Sequence, residues 1–75
     1  MVLHKNLVPF VVSTNDSLRT ALAKIEKNKH KLVYVVDEKN HLMGCLADGD
    51  FRRWSLIQTP INLETPVIQV CNLNC

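Results

Sequence analysis

The stretch "LVYVVDEKNHLMGCLADGD", Leu32 to Asp50, decides the fold. Its first part, Leu32 to Val36, is a nearly continuous β-branched and apolar run, the pattern of a central strand buried from two sides. "EKNH", Glu38 to His41, is a polar turn of hairpin length, and "LMGCLA", Leu42 to Ala47, resumes the apolar pattern. Leu32 to Ala47 therefore reads as an antiparallel hairpin. Gly44 leaves a bare patch in the second strand where a backbone or a ligand can come close. The strand ends abruptly at Asp48-Gly49-Asp50, and a second helix is predicted from there through Ile57, with Phe51 and Trp54 one turn apart.

Upstream, "VPFVV", Val8 to Val12, reads as a strand, and the "STNDS" cluster after it as a turn and helix start with Asp16 or Ser17 as the cap. Leu18, Ala21, Leu22 and Ile25 then recur at i, i+3, i+4 and i+7, one face of a helix. This helix is expected to fade by Asn28 to His30, where Lys27, Lys29 and Lys31 complement the negative end of its dipole. Downstream, Pro60 and Pro66 bias their preceding residues away from helix, and a short apolar run, "VIQVC", follows. The tail reads as a linker leading into something else. The order is β-α-β-β-α plus a tail, an α+β class with both helices on one face of a small sheet.

The totals bound what such a chain can be. With 75 residues it holds one domain at most, near the size at which a single core supplies only about 3–5 kcal/mol, so a partner is expected. Nine Lys and Arg against seven Asp and Glu leave +2, which without a clustered patch points to neither nucleic acid nor a membrane surface. Cys45, Cys71 and Cys75 are odd in number and lack CxxC spacing, so neither a disulfide framework nor a zinc site follows, and a reducing, cytoplasmic setting fits. No apolar run approaches the roughly 20 residues that span a bilayer, and the opening residues carry no small-residue cleavage site.

The same order, together with Val35-Val36-Asp37, Gly44 and Asp50, resembles the CBS domain, the small motif named after cystathionine β-synthase, over roughly Leu7 to Pro66. The resemblance divides the chain into a motif at residues 1–66 and a linker or truncated start of a second motif at 67–75, because "ETPVIQVCNLNC" is similar to the lead-in of the second member of a pair. The "DGDxRR" variant, Asp48 to Arg53, is similar to CBS domains attached to bacterial sugar-phosphate isomerases, nonulosonate synthases and sugar-activating nucleotidyltransferases.

What the resemblance implies is a regulatory binding module and not an enzyme. Such motifs pair, within one chain or as a homodimer, and hold adenosine nucleotides or related ligands between the paired sheets. AMP, ATP or a CMP-sugar are the implied ligands, and an attached catalytic domain of sugar or sugar-acid biosynthesis is the implied object of regulation. Carried over by position, Asp50 accepts from a ribose diol. The hydroxyl that the family places three residues earlier falls on Ala47, which removes a polar contact. Gly44 and Asp48 complete the candidate ligand set.

Arg52 and Arg53 are phosphate candidates, since guanidinium forks match phosphate oxygens and lie beside a helix N-terminus. Asp48 and Asp50 also fit the plain reading of capping or first-turn residues. A catalytic or magnesium site is the less favoured reading of the pair, since it needs further converging carboxylates, a Lys or a nucleophile, and the sequence offers no second cluster. Phe51 and Trp54 are expected in the core or at the pairing interface. His4, His30 and His41 lack ligand spacing, and no metal or cofactor is assigned. Two other functions compete: a structural pairing domain that has lost ligand binding, which Ala47 allows, and an RNA-binding fold. The second requires base-stacking aromatics on the central strands, of which the two hairpin strands offer only Tyr34.

Overall fold

In the computed structural model, which describes residues 10–28, 30–58 and 60–74, the elements are β1 (Val11–Ser13), α1 (Leu18–Lys27), β2 (Leu32–Val36), β3 (Leu42–Ala47), α2 (Asp48–Ile57) and a 3₁₀ turn (Val67–Gln69). This is the β-α-β-β-α order of the α+β class. Val8 and Pro9, expected to open the first strand, lie outside the described residues. No helix among the described residues is long and apolar enough to cross a membrane.

Each helix and turn boundary has a chemical cause. Ser17 caps α1, its hydroxyl accepting the Thr20 N–H at 3.2 Å. Asp16, the other cap candidate, instead takes the Ser13 N–H at 2.8 Å and closes the preceding turn. At the far end, buried Asn28 fastens the helix to the next strand: its Oδ1 accepts from the Lys31 N–H at 2.7 Å and its Nδ2 donates to the Leu32 carbonyl at 2.9 Å. Lys31 sits between them in the left-handed region, φ 55°, a conformation that costs an L side chain about 1–2 kcal/mol. In the hairpin turn, Asp37 Oδ1 accepts from the N–H groups of Lys39 and His41, both at 2.8 Å. The His41 N–H is the main reason the Asp37 carboxyl is held below its usual range. Asn40 takes the positive φ of 65° there, which its short polar side chain tolerates.

The sheet order is β1-β2-β3, with β1 parallel and β3 antiparallel to the central β2. Residues directly opposite in a ladder share a face. Val33 faces Leu46, Val35 faces Gly44, and Val12 lies beside Val35. This inner face is covered by Leu18, Ala21 and Ile25 of α1, with Leu22, Phe51 and Trp54 packed at its margin. Both helices therefore lie on one face. A one-residue bulge at Met43 shifts the register, so that Val36 meets Leu42.

The outer face departs from the expectation of a strand buried on both sides. Tyr34, opposite Cys45, remains 43% exposed, and Leu42 58%. The central position of β2 stands, but one chain covers the outer face only in part: Val36 and Cys45 are buried there, at 6% and 8%, while Tyr34 and Leu42 stay open.

The tail after Pro66, expected as a linker or the start of a second motif, folds back onto this sheet. The N–H groups of Leu18 and Arg19, which no intrahelical carbonyl can reach, donate to the carbonyls of Thr65 at 2.8 Å and Leu63 at 2.9 Å. Val67 and Val70 then enter the core, Val67 with no exposed surface. Finally Asn72 exchanges both backbone hydrogen bonds with Cys45, at 2.9 and 2.7 Å, as a one-residue extension of the sheet beyond β3.

A fully buried valine contributes about 1.5–3 kcal/mol. Val67→Ala is accordingly expected to lower the free energy of unfolding by about 2 kcal/mol, measured by urea denaturation followed by circular dichroism. An unchanged midpoint would mean that the tail is only a linker.

Candidate ligand site at the start of the second helix

β3 passes into α2 without a loop, so the last strand residue, Ala47, is also the helix cap. A methyl group cannot accept a hydrogen bond, and α2 begins with no side-chain cap from that position. The reverse half of a capping box is present: Asp50 Oδ2 accepts the Ala47 N–H at 2.9 Å. Asp48 and Asp50 both lie in the first turn, where negative charge complements the helix dipole.

Each aspartate also holds an arginine one turn on. Arg52 Nη2 donates to Asp48 Oδ2 and Arg53 Nη2 to Asp50 Oδ1, both at 2.6 Å. The two pairs differ in setting. Asp48 and Arg52 are 60% and 74% exposed, whereas the Asp50 side chain is only 12% exposed. An exposed i,i+4 pair contributes about 0.3–0.5 kcal/mol. Asp50 is instead a nearly buried carboxylate held in a fixed orientation, with one donor on each oxygen. Each oxygen keeps a second lone pair, so the group can still accept from a ligand hydroxyl.

Ala47, Asp48, Asp50, Arg52 and Arg53 thus form one contiguous surface at the strand-to-helix junction. Gly44 does not join them. A side chain at Gly44 would meet the Asn72 carbonyl oxygen at 2.7 Å and Cys71 Sγ at 2.9 Å. The bare patch is therefore filled by the chain's own tail. Of the two close approaches that a strand glycine permits, backbone or ligand, this is the first. Phe51 and Trp54 are half-buried against the chain's own core, their ring centroids 6.1 Å apart.

A groove that the sequence does not reveal lies beside the junction. Leu22, Ile25 and Phe51 form its apolar floor and Glu26, Lys31 and Asp48 its charged rim, enclosing about 540 Å³ between the two helices. Leu22 and Ile25 belong to the helical stripe that the sequence marks as core. That they border an opening follows only from the spacing of α1 and α2.

Two substitutions test this anatomy. Ala47→Ser would complete the capping box and is expected to stabilise the chain by about 1 kcal/mol, read as a raised urea midpoint. Gly44→Ala would force the tail off β3 and is expected to cost about 1–3 kcal/mol, with loss of hydrogen-exchange protection at the Cys45 and Asn72 amides.

A family model described as "CBS domain" matches residues 3–57. Among curated proteins, no match is found. CBS domains are in general regulatory modules that bind adenine nucleotides and pair with a second such motif. The match spans most of the chain, and the strand order and hairpin agree with it: the chain belongs to the CBS domain family.

Proposed function

We propose that this chain is a non-catalytic sensor that pairs with a second CBS motif, holds a nucleotide or nucleotide-sugar between the two, and modulates an attached enzyme of sugar or sugar-acid biosynthesis. The observation that carries the ligand reading is Asp50. It is a carboxylate only 12% exposed and oriented by the Ala47 N–H and by Arg53, which suits it to accept from both hydroxyls of a ribose diol. Arg53 or Arg52 then turns to the phosphate, exchanging a carboxylate partner for a stronger, doubly charged one. Regulation follows if the attached enzyme has two states to which the occupied module binds unequally.

The outer sheet face supports the pairing. Val11, Leu32, Tyr34, Leu42 and Cys45 fall on it by register, and Tyr34 and Leu42 are open to solvent. We place the partner motif there and not at Phe51 and Trp54, whose rings are engaged with this chain's own core.

A second reading is favoured by Ala47, which offers no hydroxyl, and by the two donors already on Asp50. In it the domain pairs subunits and binds nothing. Calorimetric titration of the chain with AMP, ATP and a CMP-sugar separates the two. The sensor reading expects saturable binding of at least one of these, weakened about tenfold or more in Asp50→Asn, which keeps an acceptor for the Ala47 N–H while removing the charge. No heat from any nucleotide, with a dimer in sedimentation, leaves the structural reading standing.

A further inference from the structure

The structure points to a second, separate binding site at the opposite end of α2. We infer that the cleft between the last turn of α2 and the 60–69 segment binds an uncharged ring compound carrying neighbouring hydroxyls, of the size of one monosaccharide. Trp54, Gln58, Pro60, Asn62, Thr65 and Gln69 line it, and it encloses about 190 Å³, the liquid volume of roughly six waters.

The lining chemistry selects the ligand class. Trp54 and Pro60 contribute apolar ring surface to a lining that is otherwise neutral and polar. Among the described residues no charged side chain lines the cleft, and the nearby Glu64 carboxylate is held by Arg19 Nε at 2.9 Å. A phosphate or an ammonium ion would find no counter-charge there. Hydroxyl groups, which both donate and accept, match what is present. The Gln58 and Gln69 side-chain amides make no hydrogen bond among the described residues. Asn62 has its Oδ1 engaged by the Glu64 N–H at 2.9 Å, which leaves its NH₂ group to donate. Thr65 Oγ1 donates to the Asn62 carbonyl at 2.7 Å and keeps its lone pairs to accept. An amide presents a donor and an acceptor side by side, the spacing of two adjacent hydroxyls on a ring. The part of the Trp54 side chain that the core and Phe51 leave uncovered serves the C–H side of the same ring.

The wall is also preformed. The Thr65 and Leu63 carbonyls are bound by the first N–H groups of α1, the Thr65 N–H donates to the Asn62 carbonyl at 3.1 Å, and Val67 is buried. The backbone of the wall is therefore fixed, and what a ligand must order is the exposed Gln58 and Gln69 side chains. This site shares no residue with the Asp50 junction, so its fate does not depend on the reading of that junction.

Trp54 is the sole tryptophan of the chain, so indole emission reports on this cleft directly. The chain is titrated with methyl glucoside, methyl galactoside and N-acetylglucosamine, with glucose 6-phosphate as the charged comparison and glycerol as the co-solvent control. The expected result is a saturable emission change in the millimolar range for at least one neutral sugar. Glucose 6-phosphate should bind more weakly than the neutral ligand. Gln58→Ala and Gln69→Ala, both at exposed positions, should each weaken binding several-fold to about tenfold with unchanged circular dichroism, and Asp50→Asn should leave it intact. Responses that rise linearly and match glycerol for every sugar overturn the inference. So does a saturable response that survives in the double glutamine variant, because binding would then lie elsewhere.

Discussion

The structure depends on a set of backbone hydrogen bonds between the start of α1 and the segment that follows α2. A helix leaves its first N–H groups without carbonyl partners, and in so small a chain there is little else to cover them. Ser17 serves one, and the carbonyls of Thr65 and Leu63 serve two more. That arrangement fixes the tail at one end of the core, from which Val67 and Val70 drop between α1 and the sheet before Asn72 reaches β3. The family match ends at residue 57. The folded unit does not.

This bracing explains the uneven character of the two helices. α1 is tied at both ends and buries three residues in the core, while α2 buries none completely and leaves Leu56 and Ile57 at 79% and 85% exposure. The junction side chains sit at the firmly held end of α2, because β3 runs into the helix with no intervening loop. There the Asp48-Arg52 and Asp50-Arg53 pairs neutralise each other, which keeps four charges in one turn from repelling their surroundings.

The hairpin, the stripe of α1 and the extent of α2 were legible because each writes itself in side-chain pattern: alternation, a 3.6-residue period, turn residues. The choice of Ser17 over Asp16 as cap was not, since both can accept and only the turn geometry assigns them different N–H groups. The tail was illegible for a deeper reason. Its anchors are main-chain carbonyls, which any residue carries, and its two buried valines are too few to show a period. The all-apolar run of β2 promised cover on two sides, but a sequence cannot say which molecule supplies it. At the site, the spacing of Asp48 with Arg52 and Asp50 with Arg53 already allowed their pairing. The seclusion of Asp50 from solvent needed the fold.

The left-handed backbone of Lys31 makes the α1-to-β2 connection a two-sided clamp. Asn28 spends both ends of its amide on it, one on the Lys31 N–H and one on the Leu32 carbonyl, while the Lys31 ammonium reaches back to the Glu26 carbonyl at 2.7 Å. Lys31 also stands on the rim of the groove between the helices. The residue that closes the turn is thus also part of the groove's rim, so the geometry of the connection and the shape of the groove are set by the same side chain.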